Sequence, residues 1–157
     1  MQKITPYLWF DDQAEEAARF YTSIFKNSRI TSITHYGENS QQPEGTVMTV
    51  AFRLDGQDFV ALNGGPYFSF TPAISLFVNC KDQEEVDHFW AQLTEGGEEE
   101  QCGWLKDKFG VSWQIIPAEL LELINSSDAE KSQCATQVML QMVKIDISKI
   151  RQAFEGG

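Results

Sequence analysis

The chain has 157 residues, which is enough for one domain or for two small ones fused tightly. A chain of this length buries roughly 70% of the surface that it exposes when unfolded. The composition is 42% hydrophobic and 22% charged, which excludes a disordered, collagen-like or coiled-coil protein as a description of the whole. No apolar run reaches the roughly 20 residues that a membrane helix requires.

The charge balance is strongly acidic, with 12 Lys and Arg against 23 Asp and Glu, a net charge of −11. Such a chain repels phosphate backbones and anionic lipid surfaces, so we expect neither nucleic acid nor a membrane as a partner. The N-terminus lacks the apolar core of a signal peptide, and Cys80, Cys102 and Cys134 form no CxxC pair. We therefore expect a cytoplasmic protein with free thiols.

The first half of the chain predicts the element order β-α-β-β-β. A β-rich segment, KITPYLWF, precedes a helix with apolar residues at i, i+3 and i+4 in DQAEEAARFYTSIF, for which Asp11 or Asp12 is the candidate N-cap. A second strand is predicted in SRITSITHYG and a third in TVMTVAFRL. Asp55-Gly56 predicts a tight hairpin to the return strand QDFVALN, which ends at Gly64-Gly65-Pro66.

The second half repeats this order. PAISLFVNC predicts a strand, DQEEVDHFWAQL a helix, and EEEQCGWLKDKFGVSWQIIP two or three short strands with a turn near Gly110. The two helices match in sequence, because Phe20-Tyr21 aligns with Phe89-Trp90. The pattern indicates an internal duplication of a βαβββ unit, with helices near 12–25 and 83–94.

The tail, residues 118–157, predicts helices instead. AELLELI, CATQVMLQMV and ISKIRQAF have helical patterns, and Asp146 is a candidate cap for the last one. One face of the middle helix is apolar and carries Ala135, Val138, Met139 and Met142. A free helix does not tolerate such a face, so we expect the tail to cover a sheet or to join two subunits.

The strings ITPYLWFDDQAEEAARFYTSIFKNSRI, AISLFVNCKDQEEVDHFW and CGWLKDKFGVSWQIIP resemble the PhnB-like family, labelled 3-demethylubiquinone-9 3-methyltransferase. The paired βαβββ unit resembles the wider vicinal oxygen chelate superfamily of glyoxalase I, bleomycin-resistance proteins and extradiol dioxygenases. The resemblance extends over nearly the whole chain, tail included, and implies a single PhnB-like domain of the α+β class. It implies βαβββ modules over 1–66 and 70–117, forming a cup-shaped mixed sheet, a helical tail over 118–157, and a homodimer.

Metal-dependent members of that superfamily place one ligand on the first and one on the last strand of each module. The resemblance carries these positions onto Thr5, Ala61, Ala73 and Gln114. One Gln with two alanines does not hold zinc, nickel or iron, and His35 and His88 lack the spacing of a metal-binding pair. We therefore expect no metal ion and no other cofactor.

The sequence gives only weak support for methyl transfer and for nucleophilic catalysis. The family label suggests methyl transfer, but the chain has no GxGxxG turn, and Gly64-Gly65-Pro66 includes a residue without an N–H donor. Nucleophilic catalysis has one candidate, Cys102, which Glu98–Glu100 would deactivate and Lys106 and Lys108 would activate. A buried strand thiol is the simpler interpretation.

Strand parity predicts a cavity with aromatic walls and a few polar side chains. Its predicted lining residues are Thr5, Tyr7, Trp9, Asn63, Ser75, Trp104 and Gln114. The sequence therefore favours a protein that binds a small aromatic or amphipathic molecule in a metal-free cavity. It leaves two alternatives: an enzyme of undefined reaction (a metal-assisted lyase or dioxygenase, or the methyltransferase of the label), and a structural dimer with a vestigial cavity.

Overall fold

The computed structural model describes residues 2–156. The chain divides into two compact units, of which the first ends at Phe70 and the second begins at Thr71. Within the described residues, no helix has both the length and the apolar character needed to cross a lipid bilayer.

The first unit has the predicted βαβββ order. Its elements are β1 (Tyr7–Phe10), α1 (Ala14–Ile24), β2 (Arg29–His35), β3 (Val47–Leu54) and β4 (Gln57–Asn63). The strand order is β1-β4-β3-β2, with β1 parallel to β4 and the other pairs antiparallel. The tight hairpin is confirmed, because Asp55 and Gly56 both have positive φ, of 47° and 86°, between paired Leu54 and Gln57.

One face of the first sheet is covered by α1. The strand residues that point to it are buried, as are the residues on the apolar face of the helix: Leu8, Phe10, Val50, Phe52, Leu54, Ala14, Ala17, Ala18, Tyr21 and Ile24. Burying each large side chain contributes about 1.5–3 kcal/mol to folding. We call the opposite face, which carries Tyr7 and Trp9, the front face of the first sheet.

The start of α1 differs from the prediction that Asp11 or Asp12 caps it. The helix follows Gln13, whose side chain makes no capping hydrogen bond to any described residue. The backbone N–H of Ala14 instead donates to Asn63 Oδ1 at 2.8 Å. A cap that comes from a distant strand satisfies a helix N–H as well as a local one, but no local pattern signals it.

The second unit repeats the topology of the first. Its elements are β5 (Leu76–Cys80), α2 (Gln83–Thr94), β6 (Glu98–Glu99), β7 (Trp104–Lys106) and β8 (Ser112–Pro117). The strand order is β5-β8-β7-β6, and β5 runs parallel to β8. The duplicated α+β architecture and the positions of both module helices are therefore confirmed. We call the face opposite α2 the front face of the second sheet.

Both first strands of the modules are shorter than predicted. β1 begins at Tyr7 rather than at Lys3, and β5 at Leu76 rather than at Pro72. Pro6 stands directly ahead of β1, and it lacks the N–H that the ladder requires. Just ahead of β1, the Val60 N–H still donates to the Pro6 carbonyl at 3.0 Å.

The tail forms α3 (Ala118–Ile124), α4 (Ala129–Leu140) and α5 (Ile147–Gly156). Its buried cluster contains one residue of β8 and several of the tail: Ile116, Leu120, Ala135, Ile145, Ile147 and Ile150. Val138, Met139 and Met142 pack against this cluster. The apolar face of α4 therefore packs against the core of its own chain, in line with the first of the two predicted roles, and it gives no separate reason to expect a second subunit.

Hydrogen bonds attach the tail to the rest of the second unit. Gln83, at the start of α2, accepts from the N–H of Ile147 and donates to the carbonyl of Ile145, both at 2.9 Å. The backbone N–H groups of residues 102–103 donate to the carbonyls of residues 142–143, both at 2.8 Å.

Candidate functional site

Three predicted site residues lie close together on the second sheet. Gln114, in the central strand β8, is paired with Phe77 in β5 and with Trp104 in β7. Directly paired residues of neighbouring strands point to the same side of a sheet. Gln114 Nε2 also donates to Ser75 Oγ at 2.9 Å. We call the set Phe77, Gln114 and Trp104 the aromatic row.

The aromatic row lies on the front face of the second sheet. Leu105, Trp113 and Ile115, which alternate with its residues, are buried, and α2 packs against β7 and β8. Phe77 is 47% exposed, and Gln114 and Trp104 are half-buried. The row therefore presents a neutral amide between aromatic side chains on an accessible surface.

A second set of polar groups lies beside the aromatic row. Lys106 is two residues after Trp104 and is paired with Ser112, which is two residues before Gln114. Ser112 is buried, and its Oγ has no hydrogen-bond partner among residues 2–156. Sequence reasoning missed Lys106 and Ser112 as candidates, although the period-2 alternation from Trp104 and Gln114 would have placed them on this face.

The first sheet also has aromatic residues on its front face. Tyr7 is paired with Val60, and Trp9 with Leu62. The indole N–H of Trp9 donates to the carbonyl of Gly65 at 2.9 Å, and its ring meets Phe68 edge-on with the centroids 4.9 Å apart. Trp9 is therefore held in one orientation.

Two predicted site residues lie just outside strands. Thr5 precedes β1 and is half-buried, and Ser75 precedes β5 and is half-buried. Of these two, Ser75 has a described contact with another predicted residue, the hydrogen bond from Gln114.

Asn63 does not share the front face with Tyr7 and Trp9. It is paired with Phe10, a buried residue on the α1 side. Its Oδ1 caps Ala14, and its Nδ2 donates to the Val47 carbonyl at 3.1 Å. Asn63 borders a separate cleft of about 380 Å³ at the start of α1, which is lined by residues that include Asp11, Asp12, Glu15 and Tyr36.

The residues at the superfamily's metal positions do not fit a metal ion. Ala61 is buried on the α1 side, and its neighbours Val60 and Leu62, on the front face, are hydrocarbons. Ala73 precedes β5, and Gln114 is already bonded to Ser75. No group of three or more His, Cys, Asp or Glu that could hold a metal occurs in residues 2–156.

The glycine turn and one of the thiols have roles in the fold. The N–H groups of Gly64 and Gly65 donate to the carbonyls of Phe10 and Asp11, so this turn offers no free donors. Burial raises the pKa of the Cys80 thiol to about 12, which keeps it protonated at neutral pH. Cys102 is half-buried with a φ of 59°, and Cys134 is half-buried on α4; both are free thiols.

Two βαβββ units of identical topology are the fold of the vicinal oxygen chelate class. Within it, the chain belongs to the 3-demethylubiquinone-9 3-methyltransferase family, the PhnB-like proteins, because residues 2–116 match that family's model. The matched range ends before the tail, which begins at Ala118.

Solved structures agree with this assignment. The PhnB protein from Bacillus cereus is 43% identical, with a TM-score of 0.69, and the match covers 74% of this chain and 100% of that chain. A protein from Pseudomonas aeruginosa is 21% identical, with a TM-score of 0.63 over 74% of this chain and 98% of that one, a likeness of fold alone. No curated protein matches the chain.

Proposed function

We propose that this protein binds a small aromatic or amphipathic molecule on the front face of the second sheet, without a metal ion. The observation that carries the proposal is the aromatic row, in which Gln114 lies between Phe77 and Trp104. Aromatic contacts contribute about 0.5–1.5 kcal/mol each beyond the area that they bury. A flat ring placed on the row gains such contacts, and the Gln114 amide bonds a polar group at its rim.

The polar chemistry of the row supports binding rather than catalysis. Its hydrogen-bonding groups, Gln114 and Ser75, are neutral, and neither contacts a histidine, carboxylate or lysine in the described bonds. General acid–base or nucleophilic catalysis needs such a partner. The methyl transfer of the family's label gains no support from the Gly64-Gly65 turn, whose N–H groups are already bonded.

The first sheet offers a second aromatic surface of the same kind. Thr5, Tyr7 and Trp9 stay predicted ligand contacts there. Trp9 is the best positioned of the three, because its hydrogen bond to Gly65 and its contact with Phe68 fix the ring before a ligand arrives.

We also propose that the protein is a homodimer. The exposed apolar side chains support this proposal, rather than the tail helix. Large apolar side chains are exposed at the ends of the first strands and after β4: Ile4, Tyr7, Tyr67, Phe68, Ile74 and Phe77. Exposed apolar surface of this kind is typical of protein or ligand contacts.

The ligand proposal is tested with 5-fluorotryptophan-labelled protein, titrated with the neutral probe 2-naphthamide in the presence of EDTA. We expect the ¹⁹F resonance of Trp104 to move, because Trp104 lies on the front face, while those of the buried Trp90 and Trp113 stay. No shift of Trp104 at any soluble probe concentration contradicts the binding site. A shift that EDTA abolishes contradicts the metal-free proposal.

A further inference from the structure

We infer that the ligand of this face carries an anionic group, and that Lys106 binds it. The inference rests on the proposed binding function and adds the chemical class of the ligand, a small aromatic anion such as an aryl carboxylate. Lys106 shares the front face with the aromatic row, because Trp104 precedes it by two residues on the same strand and Leu105, between them, is buried.

Lys106 is half-buried and has no ion-pair partner among residues 2–156. Glu98 is paired with it in the β6–β7 ladder, but Glu98 is exposed and forms no ion pair with it. In a chain with a net charge of −11, carboxylates are abundant, so an unpaired lysine beside aromatic residues favours a ligand that supplies the negative charge.

Ser112 gives an independent reason to expect a ligand oxygen here. Its buried Oγ lacks a partner in residues 2–156 and lies opposite Lys106 in the β7–β8 ladder. Buried hydroxyls are normally hydrogen-bonded, so an orphan hydroxyl calls for a missing partner. A hydroxyl can donate to an anionic oxygen, and the residue paired with Ser112 across the ladder, Lys106, carries a charge of the opposite sign to that oxygen.

The strand geometry sets the size of the ligand. Residues two apart on a strand are roughly 7 Å apart, so the Lys106–Ser112 pair lies about that far from the Trp104–Gln114 pair. An anionic group attached directly to an aromatic ring spans this distance. The ring then contacts the aromatic row while the anion reaches Lys106.

The test compares 2-naphthoate with 2-naphthamide, which has nearly the same shape and no charge, by calorimetry on the full chain. We expect the native protein to bind the naphthoate about tenfold more tightly, the size of one charge-assisted hydrogen bond. Lys106→Met should remove this preference, so that the variant binds the two probes with about equal affinity. Lys81→Met, which removes the same charge from an exposed lysine ahead of α2, should retain the preference.

Other binding results would overturn the anion inference, the proposed binding function or both. Equal binding of the two probes by the native protein overturns the anion inference and leaves the proposed binding function intact, whereas failure of both probes to bind overturns both. A preference that persists in Lys106→Met also overturns the inference. Ser112→Ala should weaken naphthoate binding without lowering the melting temperature, because its hydroxyl has no hydrogen bond to lose among residues 2–156. A clear drop in melting temperature would assign Ser112 to the fold instead.

Discussion

At the scale of single residues, Gly64 determines where Trp9 can lie. A Cβ at Gly64 would be 2.2 Å from Trp9 Cζ2, far inside any van der Waals contact. The indole ring therefore rests directly on the backbone that follows β4, where its N–H also bonds Gly65. This close approach requires glycine for its size rather than for an unusual φ.

Gly64→Ala should displace the Trp9 ring and destabilise the fold by about 1–3 kcal/mol, the usual cost of overpacking. Urea denaturation measures the loss, and the ¹⁹F resonance of labelled Trp9 reports the displacement. Gly37→Ala is the control, because a Cβ there meets nothing within 4 Å. Equal stability of the two variants would contradict the close approach.

Asn63, a predicted ligand contact, makes two hydrogen bonds that support the fold. Asn63→Ala removes the cap of Ala14 and the bond to the Val47 carbonyl. We expect a loss of about 1–3 kcal/mol in unfolding free energy, with the affinity for 2-naphthamide unchanged. A stable variant with weakened binding would restore Asn63 to the site.

At the scale of elements, local pattern predicted most of the fold. Apolar spacing placed α1 and α2, and Asp55-Gly56 specified its hairpin, because these signals depend on neighbouring residues. The strand ends and the cap of α1 depend on long-range partners. Asn63 lies 49 residues from Ala14 in sequence, so the shared hydrogen bond becomes visible only in the folded chain.

The stability of the tail, and of its attachment to α2, should depend on pH. Hydrogen bonding from Lys144 lowers the pKa of Asp87 on α2, and hydrogen bonding from Arg151 lowers that of Glu119 on α3. Carboxyls with lowered pKa stabilise the fold above their ordinary values of 3.8 and 4.5, and this contribution is lost as the pH falls through the folded pKa.

Lys144→Met should therefore reduce stability slightly at pH 6, since the pair is exposed, and should have a smaller effect at pH 2, because the contribution of the pair is lost as the pH falls through the lowered pKa of Asp87. Urea denaturation of native and variant protein at both pH values tests this. Lys26→Met, an exposed lysine without an ion pair among the described residues, is the control. A stability difference of the same size at both pH values would contradict the account.

At the scale of the whole molecule, the duplication could be predicted from the sequence because both halves repeat the same order of elements. The candidate site could be predicted only in part from the sequence. The alternation of side chains along each strand predicted that Ser75, Trp104 and Gln114 share one face, but it does not indicate which face of a sheet the helix covers. In the folded chain, Ala61 and Asn63 point towards α1. Lys106 lies on the face away from α2, beside the aromatic row.

The exposed apolar side chains make the oligomeric state testable. We expect light scattering at micromolar concentration to give twice the chain mass of 17.8 kDa, because residues such as Ile4 and Phe68 are too exposed for a lone chain. A monomer at that concentration contradicts the homodimer, and the aromatic surfaces would then be left for ligand alone.

The central claim is that Gln114 binds a ligand on the aromatic row, and calorimetry of Gln114→Ala with 2-naphthamide tests it most directly. We expect affinity to fall about tenfold, the value of one hydrogen bond near the upper end of its range, with the melting temperature little changed. Gln92→Ala, at an exposed position of α2, should bind like the native protein. Unchanged affinity in Gln114→Ala would contradict the claim and favour a structural dimer with a vestigial cavity.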